Sequence, residues 1–109
     1  MNTNGVITTF HANGKKHKEE TYKNGKLDGL VISYHDNGQL DSEGTYKNGK
    51  AEGLHTFWDE YGHKTADMNL KNGKLNGLTT FWDEDGHKIN EVTFKNGCFA
   101  VSSQSKQAA

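Results

Sequence analysis

Large apolar residues recur along this chain at a fixed step of 12: Phe10, Tyr22, Tyr34, Tyr46, Trp58, Leu70, Trp82 and Phe94. Between them apolar and polar positions alternate. In the run 54–59, Leu54, Thr56 and Trp58 point one way and His55, Phe57 and Asp59 the other, the two-residue period of an extended strand. Each run closes on a turn signal: Asn13-Gly14, Asn24-Gly25, Asn37-Gly38, Asn48-Gly49, Tyr61-Gly62, Asn72-Gly73, Asp85-Gly86 and Asn96-Gly97. Asn-Gly and Asp-Gly tolerate the positive φ angles of a type I′ turn, whose twist matches that of the strands it joins. Helices are excluded, because glycine recurs too often and no segment between turns is long enough. The pattern predicts an all-β fold: a single-layer antiparallel β-meander of repeated hairpins, about eight strands, with the large residues in one column on one face.

A longer period contains the shorter one. Lys-Asn-Gly begins at Lys23, Lys47, Lys71 and Lys95, always 24 residues apart, and Gly5, Gly29, Gly53 and Gly77 keep the same spacing. The chain divides into a leader, 1–4, four units (5–28, 29–52, 53–76 and 77–100) and a polar C-terminal tail, 101–109. The last two units are near copies, Thr56-Phe57-Trp58-Asp59-Glu60 against Thr80-Phe81-Trp82-Asp83-Glu84. The glycines at 29, 53 and 77 lie inside strands, where glycine marks a bulge.

Composition narrows the function. Only 31% of the 109 residues are apolar, too few for a thick closed core. All 13 basic residues are lysine, which argues against a nucleic-acid reader built on the guanidinium fork. Cys98 is the one cysteine, so an internal disulfide framework is ruled out. No run is apolar enough to span a bilayer, and residues 1–9 lack the pattern of a signal peptide. Together these features point to the cytoplasm.

The segments Tyr22-Lys-Asn-Gly-Lys-Leu-Asp-Gly-Leu30 and Tyr46-Lys-Asn-Gly-Lys-Ala-Glu-Gly-Leu54 resemble MORN repeats. They are most similar to the bacterial variant of the YwqK-like antitoxin family, over residues 5–100. The resemblance implies a curved single-layer sheet of hairpins. It also implies an interaction platform, toward protein or, in some MORN proteins, toward membrane lipid. It supplies no catalytic residues. At Lys95-Asn-Gly-Cys98-Phe-Ala100 the chain departs from the pattern, since the next glycine would fall at Val101, which reads as a capping unit.

Candidate chemistry is sparse. His11 and His35 share one unit position, and His63 and His87 share another. Equivalent positions lie two strands apart, about 10 Å, too far for two imidazoles to share a zinc ion. The acidic clusters at Asp59-Glu60 and Asp83-Glu84-Asp85 do not follow EF-hand spacing, and carboxylates at turn tips are solvated. We therefore expect no enzyme, no metal and no cofactor.

Phe57 and Phe81 point away from Trp58 and Trp82, and Thr9 and Ser33 hold their position in the first two units. Large residues on both faces of units three and four suggest a contact patch. The expected protein-binding set is Phe57, Trp58, Phe81 and Trp82, rimmed by Asp59, Glu60, Asp83 and Glu84. The expected function is a non-enzymatic protein-binding module, an antitoxin-like or inhibitory partner that docks on another protein. The alternative is a membrane-associated scaffold binding acidic lipid. Open sheet edges also allow self-association.

Overall fold

A computed structural model describes residues 3–99. Ala100 and the expected tail, 101–109, lie outside the described residues, as do the first two residues of the expected leader. The described residues form one nine-stranded sheet in strictly sequential order: β1 (Gly5–Phe10), β2 (Lys16–Lys23), β3 (Lys26–Tyr34), β4 (Leu40–Lys47), β5 (Lys50–Trp58), β6 (Lys64–Lys71), β7 (Lys74–Trp82), β8 (Lys88–Lys95) and the short β9 (Cys98–Phe99). Every neighbouring pair is antiparallel, and there is no helix among the described residues. The expected single-layer meander is the fold found. The Cα envelope is only 15 Å in its shortest dimension, room for one sheet and none stacked upon it.

Two kinds of connection alternate. The two-residue turns after β2, β4, β6 and β8 hold Asn24, Asn48, Asn72 and Asn96 at φ between 50 and 54°, each followed by a glycine between 81 and 86°. Both central residues are left-handed, as a type I′ turn requires. The five-residue loops after β1, β3, β5 and β7 are closed by a pair of backbone bonds, such as Asp59 N–H to the His63 carbonyl at 2.8 Å. The two kinds of connection line opposite edges of the sheet.

Bulges fall where the interior glycines predict. The β4–β5 register passes from Glu43↔Thr56 to Thr45↔Glu52, and Gly53 sits in the excess at φ 85°. Gly29 and Gly77 occupy the equivalent places. A second bulge occurs at each five-residue loop: Phe57 pairs with Ala66, but Trp58 pairs with Lys64.

That second bulge corrects one expectation. The large residues do not share a single column. Tyr46 meets His55 edge to face at 5.4 Å between ring centroids, which places it on the Phe57 side of the sheet. By register Tyr22, Leu70 and Phe94 lie on that side too. Tyr34 and Trp82 lie on the other, where Tyr34 Oη donates to Glu19 and Trp82 receives Lys64. A step of 12 residues crosses one connection, and a two-residue turn, like a five-residue loop with the extra residue of its bulge, pairs odd-numbered with even-numbered residues, so each even step changes face.

Burial is slight and central. Among the described residues only Ala66, at 4% exposure, is a buried apolar side chain, with His55, Thr79 and Thr80 the buried polar ones. All four lie on β5, β6 and β7. The sheet is held mainly by its backbone ladder and cross-strand pairs rather than by a two-layer core.

Candidate functional site

The register builds the two faces residue by residue. One row on the first face reads Thr9, Lys18, Ser33, Ser42, Phe57, Ala66, Phe81 and Asn90 across β1 to β8. Phe57 and Phe81 both pair with Ala66, so the smallest side chain in the row separates the two largest. The next row continues with His55, Met68, Thr79 and Val92. Both phenylalanines are half-buried, and nothing in the described sheet lies over them. This apolar strip is confined to β5–β8; in β1–β4 the same row is hydroxyl and lysine.

Trp58 and Trp82 stand on the opposite face, also half-buried. Lys64 links that face across strands: its Nζ lies 4.8 Å from the Trp82 ring centroid and 3.2 Å from Asp67 Oδ2. The pairs Lys16–Glu19 and Lys88–Glu91 repeat the lysine–carboxylate half of this arrangement. An open groove of about 360 Å³ runs between Lys64, Trp82 and the 83–86 loop. Thus the expected set divides in space. The phenylalanines share one face, the tryptophans the other, and Asp59, Glu60, Asp83 and Glu84 stand on the loop edge between them.

The loop carboxylates have structural duties. Asp59 Oδ1 accepts the backbone N–H of His63 and that of Tyr61, both at 2.9 Å. Asp83 does the same for His87 and Asp85. These donors, the His63 and His87 N–H groups foremost, hold both carboxyls below the ordinary aspartate range. Glu60 beside Tyr61 raises that phenol. Ligand atoms of Asp83, Asp85 and His87 come within 4.8 Å of one another. The cluster is open to water, and Asp83 is already engaged by the loop backbone.

In the first two loops Asn13 and Asn37 take this duty, their Oδ1 atoms accepting the Lys15 and Gln39 N–H at 2.9 and 3.0 Å, and further side chains reach across to the next unit. His11 and His35 each turn Nε2 to a carbonyl of the next unit, Tyr34 at 2.8 Å and Trp58 at 2.9 Å. Asn13 and Asn37 add amide bonds to the carbonyls of Asp36 and Glu60, both at 2.7 Å. These histidines are inter-unit ties. Asp59 and Asp83 stand at the position of His11 and His35, and an aspartate has no proton to donate.

The other edge carries a feature missed in the sequence. Lys23 faces Lys26, Lys47 faces Lys50, and Lys71 faces Lys74 across the two-residue turns; Lys95 opens the fourth. All are exposed. Open grooves between successive turns are lined by these lysines and by asparagines. Each turn is tied to the unit before it: the N–H of Asn24, Asn48, Asn72 and Asn96 donates to the side chain of Asn4, Asp28, Glu52 and Asn76 in turn. The signal was available, since an oxygen-bearing residue precedes each glycine of the 5, 29, 53, 77 series.

The model of the MORN repeat variant family matches residues 3–24, 27–48 and 75–96, well over half of the chain. The chain belongs to the MORN repeat variant family. No curated protein matches it. Each matched MORN segment spans one loop-connected strand pair and ends on the first residue of a type I′ turn. Residues 51–72, between the matches, hold β5 and β6 and end on Asn72 in the same way. A MORN array is a repeat-based binding module, and its chemistry lies in what the sheet presents to a partner.

Proposed function

We propose that this MORN array is a non-enzymatic protein-binding module, an antitoxin-like or inhibitory partner that docks on another protein and blocks it. We count residues 51–72 as a unit of the same array, giving four. The observation that carries the reading is the row Phe57–Ala66–Phe81, two half-buried aromatic rings in register on an uncovered face. Aromatic anchors around a small residue, with charge at the border, are the usual anatomy of an interface centre. Thr9 and Ser33 occupy the same row, so the fold itself does not demand phenylalanine there. The absence of catalysis is supported by the exposure of the carboxylates and histidines at the loop tips and by their use as loop ties.

The test pairs two measurements on Phe57→Ser with Phe81→Thr. Thermal melting is expected to shift little, and affinity for the protein partner captured from the source cell to fall at least about thirtyfold. A collapsed fold would make the rings structural. A folded variant with unchanged affinity would move the site off this face. Acidic lipid is the competing ligand and would be drawn to the lysine edge instead. Binding to anionic vesicles that the double variant leaves intact, with no protein captured, would decide for the membrane.

A further inference from the structure

Charge on this sheet is sorted by edge. On the type I′ edge, seven lysines stand against Asp28 and Glu52, leaving +5. On the opposite edge, loops 11–15, 35–39, 59–63 and 83–87 carry six carboxylates against Lys15. With histidines neutral the loops sum to −5, and Lys16, Lys64 and Lys88 at the adjoining strand ends, which would bring the edge to −2, are each paired with a carboxylate of the sheet face, Glu19, Asp67 and Glu91. The edges are one strand length apart, close to the 31 Å middle dimension of the molecule. That is about three to four Debye lengths at physiological salt, so neither edge screens the other within one molecule.

Both edges keep the same spacing. Successive turns of either kind are two strands apart, about 9.6 Å. Five of the six carboxylates lie in loops 59–63 and 83–87, and these two loops of one copy fall into register with two neighbouring lysine pairs of another when the copies lie side by side. Neither row is a strand edge, so the contact needs no backbone pairing and leaves both faces of each sheet free.

We propose that the lysine edge of one copy docks on the acidic loop edge of a second copy. The contact is head to tail, so each docking leaves one edge of each sign open for the next copy. The strip is about 40 Å long and no wider than the 15 Å thickness of the sheet. Such an area lies at the low end for protein contacts, so the association is weak and driven by charge. This surface is separate from the phenylalanine face, and its failure leaves the protein-docking reading untouched.

Sedimentation velocity of the full chain at about 25 mM and about 500 mM salt tests it, since the Debye length falls severalfold between them. At low salt the average mass should climb with protein concentration. At high salt it should return to 12.1 kDa. One variant carries Lys47→Gln, Lys50→Gln, Lys71→Gln and Lys74→Gln; a second carries Glu60→Gln, Glu84→Gln and Asp85→Asn. Each alone should remain monomeric at low salt with an unchanged β circular dichroism spectrum. Mixed in equal amounts, the first supplies an acidic edge and the second a lysine edge, and they should form a heterodimer that grows no further. A wild-type chain monomeric at low salt, assembly that survives high salt, or variants that stay apart on mixing would each overturn the proposal. So would uptake by anionic vesicles with no self-association.

Discussion

The imidazole of His55 occupies the space that a side chain on Gly44 would need. A Cβ built on Gly44 would fall among the atoms of that ring, and the ring is fixed there by Nε2–H donating to the Thr45 carbonyl at 3.0 Å. His55 is only 8% exposed. An aromatic ring laid over a cross-strand glycine covers backbone that would otherwise be wet. Gly44→Ala should therefore cost about 2–3 kcal/mol by overpacking, although its backbone is ordinary strand. His55→Ala should cost about 1–2 kcal/mol through the lost cover and the lost bond. The double variant should lose clearly less than the sum, measured by urea denaturation, because the first change matters only while the ring is present.

Thr79 is the most deeply buried side chain described, at 2% exposure, and its hydroxyl has no hydrogen-bond partner. It lies between Met68 and Val92 in register. A buried unpaired hydroxyl is costly, and valine keeps nearly the same shape. Thr79→Val should raise stability by about 1 kcal/mol. A loss of melting temperature would mean that the hydroxyl is satisfied in solution.

The inter-unit ties can be weighed one at a time. Glu52 Oε1 accepts the Asn72 N–H at 3.1 Å. Glu52→Gln keeps an acceptor and should be nearly neutral. Glu52→Ala should cost about 0.5–1 kcal/mol, with the Asn72 amide exchanging hydrogen faster. Equal effects of the two changes would show that the tie carries no energy.

The loop aspartates hold their charge into acid. Asp59 and Asp83 titrate below the ordinary aspartate value of 3.8 in the folded chain. A depressed folded pKa means that the contribution is fully present above the unfolded value and is lost as pH falls through the lower, folded one. The carboxyl resonances of both residues should therefore show NMR midpoints below 3.8. The Tyr61 and His63 amides should shift with the first, and the Asp85 and His87 amides with the second. Asp59→Ala should remove the first set of shifts and leave the second.

Some of this was readable from the sequence and some was not. The turns, the hairpin order and the opposition of Phe57 to Trp58 follow from local rules, two-residue alternation and Asn-Gly chemistry, and the fold obeys them. The split of the large residues between faces does not, because Trp58 pairs with Lys64 across a bulge that no residue type announces. The lysine edge is not legible along the chain, because its lysines belong to different units and only the meander gathers Lys26, Lys47 and Lys50 onto one border. His35 was weighed only as a metal ligand. Its bond to the Trp58 carbonyl joins residues 23 apart, a pairing visible only once the strand order is known.

The ties between turns recur at one separation, each acceptor 20 residues ahead of its donor. Excising residues 29–52 would therefore keep this set of ties, although His55 would then face Glu20 in the place of Gly44. Asn72 would find Asp28 in the place of Glu52, and Gly53 would follow Asp28 as Gly29 does now. Nothing in such a sheet closes on itself or measures its own extent. Gene length is the ruler, and whole-unit duplication or loss changes the reach of the binding surface while leaving the ties between turns as they were.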